Sequence, residues 1–263
     1  MVARWLAAYG DVRVIDVAFT RASLLAADVA VVIDVLRATS TVAQALDSGY
    51  RRVLCVDSIE RAAALRGPGR VLAGERGCVK PPGFDQGNSP IEAFDCRGED
   101  LVLATTNGAP TVVLAARWAP TVLLASLLNL DAVATALLEI SDLASSGLQI
   151  VCSGTDGAVA LEDVYAAGRL SAMLPGQRTD AALAAEAVAR SFGPPFEALA
   201  RSADAAVLYA ADLWHDIAFC ALESTIDVVP RVLAVGDGVA TVGLADQVGE
   251  VSAAVDAGDT VSA

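Results

Sequence analysis

Short apolar runs recur along the chain, separated by stretches rich in alanine and leucine. Each run is rich in Val, Leu or Ile without alternation of polar and apolar positions, which is typical of strands buried on both faces. We predict strands at Ala30–Leu36, Arg52–Val56, Arg70–Ala73, Asp100–Thr105, Thr121–Ala125, Leu148–Cys152 and Arg231–Val235. We predict helices between most of them, at Thr39–Asp47, Ile59–Leu65, Val112–Arg117, Asp131–Ala144 and Ala158–Leu174. This order predicts a layered α/β fold with a mostly parallel sheet.

Further helical segments follow in the second half of the chain. We predict two more helices, separated by a Gly-Pro-Pro sequence, at Thr179–Phe192 and Phe196–Leu213. The segment Gly77–Pro90 is rich in Gly and Pro and long for a connection, and long ordered loops often carry function. The 263 residues suit a single α/β domain, 1–263, with a division into two closely packed lobes near residues 145–180 left open.

Charge and composition restrict the partners. The formal net charge of -14 repels nucleic acid and anionic membranes. No apolar stretch reaches the roughly 18 residues of a membrane span, and the apolar block at the N-terminus is too short for a signal peptide. Five cysteines without a CxxC pair fit reduced thiols. We therefore expect a soluble, cytoplasmic protein that binds neither nucleic acid nor membrane, with a homodimer left open.

Several classes of hydrolase are excluded by absent residues. A single histidine, His215, cannot build a metal site from several imidazoles, and no GxSxG sequence is present. The Cys-x5-Arg spacing from Cys55 to Arg61 resembles a phosphate-binding loop, but it contains two acids and begins inside a predicted strand. No Asp-x-Asp pair follows a strand, so the general acid of the haloacid dehalogenase phosphatases is missing.

The first polar strand end is the sequence VVIDVLRATST at residues 31–41. Asp34 interrupts an apolar strand, and Arg37, Thr39 and Ser40 follow where a helix begins. Backbone N–H groups and hydroxyls at a helix start, together with a guanidinium, favour a phosphate or sulfonate. The Asp34 carboxylate is a ligand suited to Mg²⁺. The alternative is structural, with Asp34 ending the strand and Thr39 or Ser40 capping the helix.

Two further segments carry acids beside glycines. In RVLAGERG, residues 70–77, Glu75 is a candidate metal ligand or base and Arg76 a candidate anion clamp. In GFDQGNSP, residues 83–90, Asp85 is a second candidate carboxylate, and Asn88 and Ser89 are candidate substrate contacts. A solvated ion pair and ordinary turn chemistry are the alternatives.

Later strand ends repeat this polar pattern. LVLATTNGAP and IVCSGTDG both run from a strand into hydroxyls, glycines and N–H groups that suit an oxyanion. Their candidate substrate contacts are Thr105, Thr106, Asn107, Gly108, Ser153 and Gly154. Glu162 and Asp163 follow in an apolar helix, where one faces the site and the other is solvated in the simplest interpretation. Asp216 is another candidate metal ligand, whereas the neighbouring His215 is expected to be packed or exposed.

Taken together, these segments resemble the 2-phosphosulfolactate phosphatase family in order and spacing. The resemblance rests on DVLRATST, GERG, GFDQGNSP, TTNGAP, CSGTDG with the following LED, and DIAFC, over about residues 12–235. It implies an α/β/α layered fold and Mg²⁺-dependent hydrolysis of 2-phospho-3-sulfolactate to sulfolactate and phosphate, a step towards coenzyme M. Cys78, Ala109-Pro110 and Ser40 depart from the family's pattern.

The resulting hypothesis is a phosphoric monoester hydrolase acting on a small anionic phosphorylated substrate. Mg²⁺ is held by Asp34 with one or more of Glu75, Asp85 and Asp216, while Arg37 neutralises the phosphoryl oxygens. Water attacks directly, although attack by Asp34 or Cys152 is left open. The alternatives are a phosphatase of another phosphorylated 2-hydroxy acid and a non-catalytic anion-binding protein.

Overall fold

A computed structural model describes residues 13–96, 98–140 and 147–244. The described part of the chain contains ten strands and nine α-helices. The strands are β1 Val14–Ala18, β2 Val29–Ile33, β3 Arg52–Val56, β4 Arg70–Gly74, β5 Asp100–Ala104, β6 Thr121–Ala125, β7 Gly147–Cys152, β8 Gln177–Arg178, β9 Arg231–Gly236 and β10 Val239–Gly243. The helices are α1 Ala38–Asp47, α2 Ile59–Ala64, α3 Gly108–Ala115, α4 Leu130–Glu139, α5 Leu161–Met173, α6 Asp180–Ser191, α7 Pro195–Ala200, α8 Ala203–Ala210 and α9 Trp214–Cys220.

All ten strands belong to one mixed sheet, in the order β4-β5-β3-β10-β9-β6-β2-β7-β1-β8. Strands β4, β5 and β3 are parallel to one another, and so are β6, β2, β7, β1 and β8. The antiparallel hairpin β9–β10 joins these two parallel blocks, pairing with β3 on one side and with β6 on the other. The predicted largely parallel mixed sheet is therefore confirmed.

The hairpin reverses the direction of one block relative to the other. In a flat sheet, the C-terminal ends of β2 and of β4 would consequently lie at opposite edges. The structure nevertheless brings residues after both strands to one cavity. Strand pairing is sparse on one side of the hairpin, where β9 and β6 share a single paired position, Leu123 with Arg231.

Strand β2 shows how the layers form. All five of its residues are buried. Val29, Val31 and Ile33 pack into a core cluster with α4 to α9, whereas Ala30 and Val32 point to the opposite face and pack with α1 and α3. Burial on both faces explains the continuous apolar run and confirms the α/β/α layering.

The predicted elements agree with the structure except that one predicted helix is divided and that three strands and one helix were missed. The predicted helix Phe196–Leu213 is divided into α7 and α8, because the Ser202 side chain accepts a hydrogen bond from the Ala205 N–H and begins a new helix. Strands β1, β8 and β10 and helix α9 were not predicted. The end of the predicted helix Asp131–Ala144 lies outside the described residues, and the division into two lobes stays a prediction. In the described segments, no helix is both long and apolar enough to cross a membrane.

Candidate active site

A cavity of about 300 Å³ lies where the strand ends meet a helix from the second half of the chain. We call one side the strand-end wall. It consists of Asp34, Leu36 and Arg37 after β2, residues 75–78 after β4, Asn88, residues 105–107 after β5, and Thr155 and Asp156 after β7. We call the other side the helical wall, which consists of Asp204, Val207 and Leu208 of α8.

Asp34 closes the turn from β2 into α1. Its Oδ1 accepts a hydrogen bond from the Ala38 N–H at 2.9 Å, and its own N–H donates to the Thr39 hydroxyl at 3.0 Å. Burial raises the pKa of Asp34 to about 7, and the carboxylates of Asp204 and Glu75 add to the effect while the Ala38 N–H opposes it. A carboxyl group in this environment favours a bound proton or cation.

Gly108 allows the second Asp34 oxygen to lie against α3. A Cβ atom at position 108 would stand 2.5 Å from Asp34 Oδ2 and 2.3 Å from the Ala38 Cβ. Both distances are far below van der Waals contact, so only glycine fits between the two helix starts. Gly108 therefore shapes the site without lining the cavity.

Arg37 is a buried guanidinium held by a partner from the opposite half of the chain. Its Nη1 donates to Asp216 Oδ2 at 2.6 Å, and both side chains are 3% exposed. The other Asp216 oxygen accepts from the Ser89 hydroxyl at 2.6 Å. Because Asp216 does not line the cavity and one of its oxygens is held by a buried guanidinium, its contacts suit the positioning of Arg37 rather than the predicted binding of a metal.

Glu75 joins the ends of β4 and β5. Its Oε1 accepts from the Thr106 N–H at 2.7 Å, and its Oε2 accepts from the Cys78 N–H at 3.1 Å. The exposed Arg76 turns back to the Glu75 carbonyl oxygen at 2.8 Å. Glu75 therefore fixes the two loops that carry much of the strand-end wall.

The start of α3 presents polar groups to the cavity. The Thr105 hydroxyl accepts from the Ala109 N–H at 2.9 Å, which satisfies one of the helix's free donors. Two buried polar atoms on lining residues have no hydrogen-bond partner, Thr106 Oγ1 and Asn88 Oδ1. Buried polar atoms are normally paired, so these two are available to a ligand.

Some predicted contacts lie behind the cavity. The Thr39 and Ser40 hydroxyls donate to the carbonyl oxygens of Asp34 and Val35, so neither side chain caps α1, whose N-cap position is Arg37. Ser153 is buried below the cavity with its hydroxyl unpaired, and the Gly154 N–H is taken by the Asp163 carboxylate. These residues support the strand ends rather than touching the space itself.

Asp85 is the predicted catalytic residue that the structure does not bring to the cavity. Its side chain is 41% exposed, and its Oδ2 accepts from the Leu72 N–H at 2.8 Å. Strand β4 is at the edge of the sheet, where backbone donors lack a neighbouring strand. Asp85 and the loop around it cover this edge, so the expectation of a catalytic role is not supported by its position.

Three acids have roles in or beside the cavity that the sequence did not indicate. Asp204 lines the cavity, and no pattern in its alanine-rich segment marks it. Glu162 and Asp163 are 1% and 2% exposed, so the expectation that one of them is solvated was wrong. Asp163 accepts from the N–H groups of Val35 and Gly154 and so ties together the ends of β2 and β7. Two adjacent acids opening an apolar helix were the available signal.

Cys55, Cys152 and His215 are not among the residues that line the cavity. Cys55 is buried within β3, which confirms that no phosphate-binding loop begins there. Burial raises the pKa of the Cys152 thiol well above its usual range, which keeps it protonated and weakens its case as a nucleophile. His215 is exposed and stacks on Trp214, as expected.

The charges around the cavity suit a divalent cation. Four acids, Asp34, Glu75, Asp156 and Asp204, face two arginines, so a multiply charged phosphate ester would meet net repulsion. Among residues 13–96, 98–140 and 147–244, no three acid, His or Cys side chains converge closely enough to enclose an ion. Mg²⁺ commonly binds through one or two carboxylates plus water and substrate phosphate, so this donor set fits it.

Comparisons with known proteins agree on one family. The chain matches the family model described as 2-phosphosulpholactate phosphatase over residues 18–234. A probable 2-phosphosulfolactate phosphatase of Deinococcus radiodurans is 43% identical over 214 residues, 78% of this chain and 88% of that protein. Proteins with the same printed name are 42% identical in Thermus thermophilus, over 77% of this chain and 87% of the relative, and 36% identical in Thermotoga maritima, over 83% and 95%.

Proposed function

The chain belongs to the 2-phosphosulpholactate phosphatase family of phosphoric monoester hydrolases, and on this premise we propose that it hydrolyses 2-phosphosulfolactate to sulfolactate and phosphate. The observation that carries the proposal is the single cavity that Asp34, Arg37, Glu75 and the start of α3 all reach. A purely anion-binding cradle gains nothing from acids beside its ligand, whereas phosphoryl transfer uses acids to hold cations and move protons.

Arg37 binds the phosphoryl oxygens in this proposal. A guanidinium neutralises charge on a transferring phosphoryl group most effectively when it is fixed before the reaction. Asp216 and Ser89 supply that fixation through the two 2.6 Å hydrogen bonds at the base of the site. The unpaired Thr106 hydroxyl adds a further donor.

We propose that Asp34, together with Glu75, holds Mg²⁺. When bound, the ion would supply positive charge that screens the cavity acids from the substrate and stabilises the phosphoryl oxygens. Asp34 suits this role because its carboxyl group is buried and lies near other acids. Only Oδ1 accepts a hydrogen bond from a backbone N–H of the turn between β2 and α1, which leaves Oδ2 for a cation. Asp216 then serves to position Arg37 rather than as a ligand.

The acidic end of the substrate requires separate contacts. Arg76 and Asn107 also line the cavity, and their side chains are the donors we assign to the sulfonate or carboxylate. Arg76 is exposed, so it reaches a ligand without losing a buried partner.

The cellular setting is also a proposal. All five cysteines are free, which suits a reducing cytoplasm. In a host that makes coenzyme M, the sulfolactate product would enter its synthesis. The net charge of -14 disfavours nucleic acid as a partner, and a homodimer stays a prediction.

The test is phosphate release from a panel of phosphorylated 2-hydroxy acids, including 2-phosphosulfolactate, with Mg²⁺ and with EDTA. We expect release that requires Mg²⁺ and is strongest with the sulfonated substrate. Release from other phospho-acids alone would keep the phosphatase and reject the substrate. Thermal stabilisation by these anions without any release would instead support a non-catalytic anion-binding protein.

A further inference from the structure

The helical wall presents one acid, Asp204, and that acid is paired with a second carboxyl group. The Thr155 hydroxyl donates to Asp204 Oδ2 at 2.5 Å. The Glu162 carboxyl also hydrogen-bonds Asp204, although Glu162 is itself only 1% exposed. The Glu162 Oε2 atom is buried, and no hydrogen-bond donor lies against it. Two carboxyl groups in hydrogen-bonding contact require a proton between them, because two adjacent carboxylates repel each other.

We propose that Asp204 is the general acid that protonates the leaving oxygen, and that Glu162 is a positioning residue that holds the proton for it. This inference rests on the proposed phosphatase function and extends it to a residue pair of the helical wall. Asp204 is half-buried and lines the cavity, so it can touch the substrate. Glu162 is too deeply buried to do so and acts only through Asp204.

The surroundings favour a proton on the pair. Burial raises the pKa of Glu162 well above its usual range, with the charges of Asp163 and Asp204 adding to the effect. The charge of Asp204 in turn raises the pKa of Asp34, Asp163 and the Cys78 thiol. Arg37 and Arg76 line the same cavity.

The step balances in atoms and charge. Water adds to phosphorus as the bond from phosphorus to the ester oxygen breaks. The electron pair of that bond stays on the oxygen, which takes the single proton of the pair from Asp204 after Glu162 has passed it across their hydrogen bond. One proton of the attacking water remains on the released phosphate, and the other returns to the Glu162–Asp204 pair.

The experiment compares 2-phosphosulfolactate with its analogue in which sulfur replaces the ester oxygen. A thiolate leaves without protonation, whereas an alkoxide needs a proton. We expect Asp204→Asn to lower kcat for the oxygen ester by about 10²–10⁴-fold, with a loss below about tenfold for the sulfur ester. Asparagine keeps an oxygen that accepts from Thr155, so the fold is expected to persist, and its melting temperature checks this.

The Glu162→Gln variant tests whether Glu162 supplies a proton to Asp204 or only a hydrogen bond. Glutamine still donates a hydrogen bond to Asp204 but has no proton to transfer, so we expect the same selective loss with the oxygen ester. Asp156→Asn is the matched charge control. It removes one negative charge from the same cavity at a positive-φ position that asparagine tolerates, and both esters are expected to change by the same factor.

The outcomes separate the two proposals. If the wild-type protein hydrolyses neither ester, the proposed function fails. If the wild type hydrolyses the oxygen ester but Asp204→Asn slows both esters equally, the function stands and the general-acid role is overturned. A wild type that cleaves only the oxygen ester also contradicts this role, because departure of a thiolate needs no acid.

Discussion

The strand-end wall and the helical wall of the cavity are built in different ways. The strand-end wall consists of short polar segments that follow β2, β4, β5 and β7. Backbone hydrogen bonds to Glu75 tie the segments after β4 and β5 together, and those to Asp163 tie the segments after β2 and β7 together. The helical wall is one face of α8, an alanine-rich helix with a single acid, Asp204, between apolar residues. One wall is thus dense in polar contacts and the other sparse.

The two walls therefore differ in how they contribute to the site. The sheet fixes the strand-end wall, which holds the groups that suit phosphate and cation. The helical wall depends on cross-contacts to stay in place, chiefly Arg37 with Asp216 of α9 and Thr155 with Asp204. Changes in the first wall should therefore reduce activity, whereas changes at the cross-contacts should reduce stability as well.

The largest effect is expected at Asp34 of the strand-end wall. Asp34→Asn keeps the shape and an oxygen for the Ala38 N–H but removes the charge that we assign to Mg²⁺. We expect kcat/KM in the presence of Mg²⁺ to fall on the order of 10²–10³-fold, measured by phosphate release. Asp47→Asn, at the exposed end of α1, is the matched control and should leave the rate unchanged. Turnover of Asp34→Asn within tenfold of wild type would reject the assignment.

The contact between the walls is tested at Asp216. Asp216→Ala leaves the Arg37 guanidinium buried and unpaired, and we expect the free energy of unfolding to fall by about 3–5 kcal/mol. Urea denaturation measures this change. The double variant Arg37→Met with Asp216→Leu removes both charges and should recover most of the stability but no activity. Equal losses in the single and double variants would show that packing, and not the unpaired charge, sets the cost.

A smaller effect is expected where the two helix starts meet. Gly108→Ala places a Cβ against Ala38 and Asp34, and overpacking of this kind typically costs about 1–3 kcal/mol. We also expect a loss of activity, because Asp34 must move. Gly67→Ala has nothing within 4 Å and serves as the control in the same denaturation series. A Gly108→Ala variant as stable and active as wild type would contradict the described fit.

The smallest effect is expected at Asp85, which lies on neither wall. Asp85→Asn removes an exposed ion pair with Arg66 at 3.4 Å and keeps an oxygen for the Leu72 N–H. We expect less than about 1 kcal/mol of destabilisation and a kcat close to that of wild type. A large loss of turnover with unchanged stability would restore the catalytic role that the sequence suggested.

The sequence predicted more of the fold than of the site. Seven predicted strands lie within a few residues of strands in the structure. They could be predicted because a continuous apolar run is typical of a strand buried on both faces. Strand β1 and the hairpin strand β10 were missed because their runs are short or interrupted. The polar strand ends at Asp34, Glu75 and Thr105 were identified because an acid or hydroxyl after an apolar strand is unusual.

The sequence by itself determined the layered α/β/α fold and which strand ends carry polar groups, since both depend on patterns within about ten residues. Only the tertiary structure decided which side chains share the cavity. It excluded Asp85, turned Asp216 towards Arg37 across 179 positions of the chain, and brought in Asp204. The reason is that hydrogen-bond partners and side-chain directions depend on the twist of the sheet and the docking of α8 and α9, which no local pattern records.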